Sequence, residues 1–271
     1  MGRLSAAVRC LVVQAHGGEC ETKTHLVLIP SYNTGSKLLD TVADARRYWQ
    51  TVWVVLDGST DGSGEALAKF DRKTQGLRII RRRRNGGKGS AVLDGLRAAA
   101  AAGFTHALIM DADGQHPASS IPEFMALSRQ HPSAMILGVP IFDGDAPRLR
   151  VVGRRVSNTW AKLETLGTIA DSLFGFRVYP IVSLKAVMES SRWMRRFDFD
   201  VEAAVRLSWR GVPAINHPAP VRYFSVEEGG VSHFRYWHDN LVLAAMHMRL
   251  TAAFFGQLPR LVAQRVRSFR H

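Results

Sequence analysis

The chain has 271 residues, of which 46% are hydrophobic and 22% charged, enough for one large α/β domain or one domain with appendages. Its 36 Lys and Arg against 23 Asp and Glu leave a net charge of +13, which favours nucleic acid, an anionic membrane or a phosphate-rich substrate as partner. Two cysteines exclude a disulfide framework and favour a reducing cytoplasm, and the longest apolar stretch, from Leu241, is interrupted by His247 and Arg249, which argues against a bilayer-spanning helix.

Short β-branched runs alternate with helical patterns through the first half of the chain. Residues 1–24 resemble a loosely attached leader, and strands are predicted to end at Pro30, Leu56, Ile80, Met110 and Gly138. Segments with helical apolar spacing, such as "SKLLDTVADARRYW", lie between them. Alternation of this kind predicts an α/β fold with a mainly parallel central sheet flanked by helices.

The segments that follow four of these strands are polar and rich in glycine. They read "PSYNTGS", "DGSTDGS", "RRRRNGGKGS" and "DADGQHP". In open α/β sheets, ligands bind outside the carboxyl ends of the strands. One edge of the sheet is therefore predicted to gather both anion-binding and cation-binding groups.

Asp57, in "VVLDGSTDGS", follows the second strand directly. A carboxylate there can accept hydrogen bonds from a ribose or a base amide. The alternative is an ordinary turn in which Asp61 or Ser63 caps the next helix.

The stretch "RRRRNGGKGSAVLDGL" predicts a phosphate-binding environment. Adjacent glycines let the backbone approach a ligand, Lys88 supplies a positive charge, and a helix N-terminus follows. The P-loop spacing is absent. The alternative is a glycine turn beside a solvated arginine run.

Asp111 and Asp113, in "DADGQHP", are separated by one residue on a predicted turn. Hard divalent cations such as Mg²⁺ or Mn²⁺ prefer oxygen ligands and often use one or two carboxylates together with substrate phosphates. Two aspartates separated by one residue are, by themselves, common in polar turns. The position of this pair beside Asp57 and Lys88 favours a metal-and-diphosphate site.

After Val139 the pattern weakens into a basic amphipathic helix, a helix ended by Gly211, and one or two short strands in "VPAINHPAPVRYF". The tail is predicted to form two basic amphipathic helices, over 233–271, that lie on an anionic membrane. The alternative is that these helices pack on the domain. The domain over 25–232 carries the remaining motifs.

Six motifs in order resemble family-2 glycosyltransferases: "IPSYN", "VVLDGSTDGS", "RNGGKGSAVLDGL", "MDADGQHP", "DSLFGFRVYP" and "FDFDVEAAVRLSWRG". The likeness is to the dolichol-phosphate-mannose-synthase-like branch, which has the GT-A nucleotide-sugar fold, and it covers most of the chain. It implies an inverting, metal-dependent transfer of a sugar from a nucleotide-diphosphate donor, UDP- or GDP-linked, to a lipid acceptor such as a polyprenyl phosphate. The enzyme would be peripheral on the inner face of the cell membrane.

The resemblance also implies a role for individual residues. The nucleoside pocket would be lined by Pro30, Tyr32 and Asp57, and Lys88 would lie near the diphosphate or the nucleoside. Asp111 and Asp113 would hold Mg²⁺ or Mn²⁺ with help from Gln115. Arg177 would face the donor phosphates or the acceptor, and His233 would be a phosphate or metal contact. Asp200 or Glu202 would lie near the acceptor, where Asp200 takes a proton if the acceptor is a hydroxyl.

Two positions depart from the family pattern. Relatives usually carry Asp-Asp-Gly-Ser where this chain has Leu56 and Asp57, and a Lys-like loop where it has His233. Two other classes of protein remain as alternatives. One is a basic nucleic-acid- or membrane-binding protein that uses the arginine run, although no nucleic-acid module signature is present. The other is a sugar nucleotidyltransferase, although its glycine-rich signature does not follow "IPSYN".

Overall fold

A computed structural model describes residues 24–71, 75–142, 148–221 and 236–268, which build a seven-stranded sheet with helices on both faces. The strands are β1 His25–Ser31, β2 Val52–Asp57, β3 Leu77–Arg82, β4 His106–Ile109, β5 Met135–Phe142, β6 Arg177–Pro180 and β7 Ala214–Val221. The helices are α1 Lys37–Tyr48, α2 Ser63–Asp71, α3 Lys88–Ala101, α4 Ile121–Gln130, α5 Arg148–Glu164, α6 Ile181–Glu189, α7 Asp198–Trp209 and α8 Tyr236–Ser268. A short 3₁₀ turn, Ala118–Ser120, precedes α4.

The strand order is β3-β2-β1-β4-β6-β5-β7, and every neighbouring pair is parallel except those made by β6. That strand is antiparallel to both β4 and β5. The mainly parallel sheet predicted from the sequence is thus confirmed. Because β6 runs the other way, its first residue lies at the edge where its neighbours end.

Alternate residues of the central strand point into two separate apolar layers. Leu26 and Leu28 of β1 join the layer formed with α3, α6, α7 and α8. Val27 and Ile29 join the layer formed with α1 and α4. All seven residues of β1 are buried, as expected for a parallel strand covered on both faces.

Three features differ from the sequence-based expectation or go beyond it. The segment "DSLFGFRVYP" contains β6, and α6 follows it at once. The tail forms one helix, α8, with Pro259 inside it, where two helices were predicted. This helix also joins the core through Met246, Leu250, Phe254 and Leu261. The borders of the leader and of the tail stay predictions, and His233 lies outside the described residues.

At the opposite edge from the strand ends, the imidazoles of His25 and His106 stack with ring centroids 4.4 Å apart. Each Nδ1 lies 2.8 Å from the hydroxyl of the preceding threonine. The Nε2 atoms reach Ser128 and a backbone carbonyl, respectively. Burial, together with repulsion from His106 and Arg129, lowers the pKa of His25 to about 3.

We expect this pair to make the fold acid-sensitive. Because the folded-state pKa of His25 is depressed, its neutral form contributes stability above pH 6.5, and that contribution is lost as pH falls toward 3. The free energy of unfolding should fall by on the order of 1 kcal/mol per pH unit in this window. Chemical denaturation at several pH values of the wild type and His25→Gln measures this slope. The slope should shrink in His25→Gln and stay in His131→Gln, whose side chain is exposed. Equal slopes in all three proteins would contradict the assignment.

Candidate functional site

Polar segments that follow the parallel strands gather at one edge of the sheet, as the sequence predicted. β1 and β2 deliver their last residues there, the loop after β3 leads into α3, and the turn after β4 carries two carboxylates. The predicted site residues at this edge are Pro30, Tyr32, Asp57, Lys88, Asp111, Asp113 and Gln115.

Two further predicted residues reach the same edge from elsewhere in the chain. Arg177 begins the antiparallel β6 and pairs in register with Ile109, the last residue of β4. Asp200 lies in the first turn of α7. The structure therefore brings Lys88, Asp111, Arg177 and Asp200 together from four separate segments.

A buried lysine joins the two carboxylate-bearing segments. The Lys88 ammonium Nζ lies 2.6 Å from Asp111 Oδ1 and 2.7 Å from Asp200 Oδ2. Its side chain is only 11% exposed, so the two ion pairs are weakly screened by water. Lys88 is thus already neutralised by protein groups, beside the position predicted for a diphosphate.

The pKa values of these groups reflect their shared burial. Burial alone would lower the pKa of the Lys88 ammonium, but Asp111 and Asp200 overcome this and raise it. Burial would raise the pKa of Asp111, yet the Lys88 charge lowers it. For Asp200, burial outweighs the attraction of Lys88 and the pKa is raised. One cation divided between two buried carboxylates leaves part of their negative charge uncompensated.

The Asp113 carboxyl lies close enough to Asp111 to be affected by this uncompensated negative charge. Burial and the Asp111 charge raise the pKa of the Asp113 carboxyl to about 6, even though its Oδ1 accepts the Gln115 backbone N–H at 3.0 Å. A carboxyl held in this way is stabilised in its charged form by a nearby cation. Carboxylate oxygens are ligands that Mg²⁺ and Mn²⁺ prefer, so the chemistry of Asp111 and Asp113 fits the predicted metal role. In the part of the chain that the structure describes, no group of three His, Cys, Asp or Glu side chains is arranged to hold a metal by protein ligands alone.

His116 orients the turn that carries Asp111 and Asp113, and it was not singled out from the sequence. Its Nδ1 accepts the Asp111 backbone N–H at 3.0 Å, which leaves the proton on Nε2. That nitrogen lies 3.6 Å from Asp111 Oδ2. Burial lowers the pKa of His116 to about 4, so the ring is neutral at pH 7. Its position five residues after Asp111 in "DADGQHP" was the available signal.

Asp57 is engaged with the protein itself. Its carboxylate accepts the backbone N–H groups of Gly86 and Gly87, the shortest contact being 2.7 Å, and pairs with the Arg82 guanidinium. Arg82 is held in turn by Asp94 at 2.8 Å. Asp57 therefore fixes the glycine loop before α3, and the nucleoside contact predicted for it stays a prediction.

The capped-turn alternative applies to a neighbouring residue. Asp61 Oδ1 accepts the Ser63 hydroxyl at 2.6 Å and its backbone N–H at 3.1 Å, at the start of α2. Asp61 Oδ2 also accepts the Gly35 N–H at 2.7 Å, which ties together the loops after β1 and β2. Tyr32 is partly exposed in the first of these loops.

Arg177 is fully buried and fixes the backbone around Asp200 and Asp171. Its guanidinium donates to the backbone carbonyls of Asp200 and Asp171 and to the Tyr179 hydroxyl. Its Nε has no hydrogen-bond partner among the described atoms. The contact predicted between Arg177 and donor phosphates stays a prediction, since the observed bonds are internal ones that position Asp200.

Asp200 and Glu202 were both predicted to lie near the acceptor, but α7 separates them. Residues two positions apart point to opposite sides of a helix. Asp200 faces Lys88, whereas the fully buried Glu202 pairs with Arg206 at 2.7 Å and with Arg249 of α8 at 3.2 Å. Only the first of the two therefore lies in the candidate site.

Gly175 is a second residue that the sequence analysis missed. A methyl group at this position would lie 2.7 Å from Asp111 Oδ2 and 2.8 Å from Lys88 Nζ. The ion pair therefore needs a residue without a side chain in "LFGFR". A glycine between two aromatic residues was the available signal.

Half of the arginine run is bound within the fold. Arg81 donates to the Gly64 carbonyl at 2.8 Å and lies 3.6 Å from Glu65, while Arg82 bridges two aspartates. These contacts count against a nucleic-acid-binding surface built on the run.

Comparisons with known proteins agree with this architecture. The family model described as "Glycosyl transferase family 2" matches residues 26–187. The undecaprenyl-phosphate mannosyltransferase of Micrococcus luteus is 23% identical over 204 residues, which cover 71% of this chain and 81% of that protein. The polyprenol monophosphomannose synthase of Mycolicibacterium smegmatis is 26% identical over 202 residues, 70% of this chain and 73% of that one.

Solved structures share the fold at low sequence identity. Glucosyl-3-phosphoglycerate synthase from Mycobacterium tuberculosis, in complex with Mn²⁺, UDP and glucosyl-3-phosphoglycerate, has a TM-score of 0.56 and 16% identity, covering 95% of this chain and 86% of that chain. S. aureus TarS residues 1–349, in complex with UDP-GlcNAc, has a TM-score of 0.52 and 16% identity, covering 86% and 72%, respectively.

We expect Lys88→Met to destabilise the protein, and to do so more at neutral pH than at acidic pH. The change leaves Asp111 and Asp200 buried without their cation, which costs about 3–5 kcal/mol for a broken buried pair. Without Lys88 both carboxyls have folded-state pKa values above their unfolded values. The deficit relative to wild type therefore shrinks as pH falls and the carboxyls become protonated.

Denaturant unfolding at pH 7 and pH 4.5 measures this deficit. Lys69→Met, at an exposed position on α2, is the matched control and should differ little from wild type at either pH. A Lys88→Met deficit that is the same at both pH values would contradict the assigned pairing.

Proposed function

The chain belongs to glycosyl transferase family 2, in its dolichol-phosphate-mannose-synthase-like branch, and from this premise we propose that it transfers a sugar from a nucleotide-diphosphate donor to a lipid phosphate. The observation that carries the proposal is the cluster of Lys88, Asp111, Asp113 and Asp200 at the ligand-binding edge of the sheet. The GT-A fold implied by the resemblance is confirmed. The lipid acceptor is inferred from relatives whose names specify undecaprenyl phosphate and polyprenol.

The donor diphosphate would bind beside Lys88 with a divalent cation held by Asp111 and Asp113. A bound Mg²⁺ or Mn²⁺ supplies charge stabilisation for the leaving diphosphate. Lys88 stays protonated between Asp111 and Asp200, so the charge that stabilises the diphosphate would come mainly from the divalent cation. Asp57 accepts the N–H groups of Gly86 and Gly87 and so fixes the loop in front of the α3 N-terminus, a kind of terminus at which anions bind readily.

The acceptor determines whether a base is needed. A lipid phosphate brings an oxygen that is already anionic, so no residue has to remove a proton. The hydroxyl alternative would require a carboxylate near the anomeric carbon, which is the role that the resemblance implies for Asp200. Because Asp200 is paired with Lys88 at 2.7 Å, we favour the phosphate acceptor. The family resemblance favours an inverting displacement. The enzyme would act as a peripheral protein on the cytoplasmic face of the membrane.

We expect Asp113→Asn to abolish metal-dependent donor binding. The change removes the charge that a divalent cation would neutralise, while the Gln115 N–H can still be accepted by the amide oxygen. Thermal-shift measurements with UDP- and GDP-hexoses, with and without Mn²⁺, should show stabilisation of wild type and none of the variant. Transfer of radiolabelled sugar to polyprenyl phosphate should fall by roughly a hundredfold or more. Asp44→Asn, at an exposed position on α1, should behave as wild type. The absence of any nucleotide response in wild type would contradict the proposal.

We also expect Gly175→Ala to reduce transfer while leaving the protein folded. The added methyl group must displace the Lys88 and Asp111 side chains that it would otherwise touch. The loss of kcat should be roughly tenfold or more, since misplaced groups lose transition-state stabilisation. Gly153→Ala is the control because nothing lies within 4 Å of the added atom, so its activity should be unchanged. Full activity of Gly175→Ala would exclude the close approach described here.

A further inference from the structure

α8 is apolar on two faces, one of which has no partner among the described residues. Met246, Leu250, Phe254 and Leu261 lie in the core. A second set of side chains, spaced by seven residues, is between 49% and 70% exposed. We call this set the α8 row: Leu241, Met248, Phe255 and Val262. A surface helix normally shows solvent a polar face, so an exposed apolar row marks a contact surface.

The same helix is long and apolar enough over Leu241–Ala263 to cross a membrane. Its contacts show a different arrangement in this structure. Buried residues recur from one end of that stretch to the other, and Arg249 and His247 pair with Glu202 and Glu164 of the domain. α8 thus lies along the protein, and a crossing of the bilayer would break all of these contacts.

A neighbouring helix carries a matching set of exposed apolar residues. On α5, Val156, Trp160 and Leu163 are between 41% and 55% exposed, and we call them the α5 row. Their spacing of four and three residues places them on one side of the helix. Trp160 also lies against α8, with its ring centroid 6.3 Å from that of His247.

Hydrogen bonds fix the relative direction of the two helices. Ser157 of α5 bonds to His247 of α8 at 3.0 Å. Glu164, about two helical turns further along α5, bonds to His247 and to Thr251. Residue numbers therefore increase in the same direction along both helices, and these four residues mark the line of contact.

The two rows consequently face the same way. At about 100° per residue, the α5 row lies roughly a quarter turn to one side of the contact line. The α8 row lies roughly a quarter turn to the opposite rotational side. The two helices run in the same direction and face each other across the contact line. A row displaced to one side on α5 and a row displaced to the opposite rotational side on α8 therefore both lie on the same outer surface of the helix pair.

Charge selects the partner of this surface. Neither 153–163 of α5 nor 241–263 of α8 contains an Asp or Glu. Exposed cations flank the rows at Arg155, Lys162 and Arg260. A second copy of the chain would bring the same cations into opposition, whereas an anionic lipid surface complements them.

We propose that α5 and α8 form a two-helix face that docks on an anionic bilayer with both helices parallel to its plane. The α5 row and the α8 row enter the boundary between headgroups and acyl chains, and the flanking cations meet lipid phosphates. This docking rests on the proposed function, since it brings the candidate site to a membrane that contains the lipid acceptor. It adds α5 to a contact that the sequence assigned to the tail alone.

Co-sedimentation of the full chain with phosphatidylglycerol vesicles tests the face. Wild type should bind these vesicles and bind phosphatidylcholine vesicles weakly. Trp160→Ser on α5 and Phe255→Ser on α8 should each weaken binding roughly tenfold, because each removes one exposed aromatic anchor. Val182→Ser, at an exposed position on α6 outside both rows, should bind as wild type. Undiminished binding of Trp160→Ser would overturn the two-helix face.

Quenching by brominated phosphatidylglycerol provides a readout of depth that does not depend on affinity. The chain has six tryptophans, and quenching should be present in wild type and largely lost in Trp160→Phe, which keeps an apolar ring at the same place. Equal quenching in both proteins would contradict insertion of the α5 row. A dimer in solution that Trp160→Ser and Phe255→Ser dissolve, or vesicle binding that appears only after removal of residues 1–23, would instead assign the face to another occupant.

Nucleotide binding in the absence of lipid separates this proposal from the proposed function. If Mn²⁺-dependent stabilisation by a nucleotide sugar persists but vesicles are not bound, the docking face is wrong and the transferase function stands. If vesicles are bound but no nucleotide sugar stabilises the protein, the proposed function is wrong and the docking face stands.

Discussion

The site depends on a single lysine buried between two aspartates. Lys88 comes from the start of α3, Asp111 from the turn after β4, and Asp200 from the first turn of α7. None of these charges could remain buried without the others, because an unpaired ion in a weakly screened interior is costly. The neighbouring constraints follow from this need: Gly175 leaves room for the pair, and Arg177 holds the backbone of Asp200.

Sequence periodicity predicted the sheet and the position of the site because both arise from local patterns. Continuous apolar runs specify buried parallel strands, and polar residues directly after them must lie at one edge. The same reasoning missed β6, a strand of four residues whose burial comes from β4 and β5 on either side. It also could not show that Asp57 binds Gly86 and Gly87, since a carboxylate oriented toward a ligand and one oriented toward a loop look the same in sequence.

The tail shows another limit of reading one chain segment at a time. Its arginines and apolar residues predicted membrane association, with packing on the domain as the alternative. In the structure one apolar face of α8 packs on the domain, and a second apolar row stays exposed. The membrane prediction and its alternative therefore concern different faces of one helix. Which face meets the core depends on partners in α5 and α7 that lie far away in sequence.

The boundaries of the catalytic unit follow from the placement of α7. The family match ends at residue 187, yet the second carboxylate partner of Lys88 lies beyond it, on a helix that Arg249 of α8 grips through Glu202. A chain cut at the end of the match would lose Asp200, the carbonyl that Arg177 binds, and α7, one of the helices that pack on one face of the sheet. Such a fragment would keep five of the six motifs and still leave its central cation half paired. A segment exchanged between relatives therefore has to include α7 and the part of α8 that carries Arg249, or the ion pairs made by Lys88 and by Glu202 are lost.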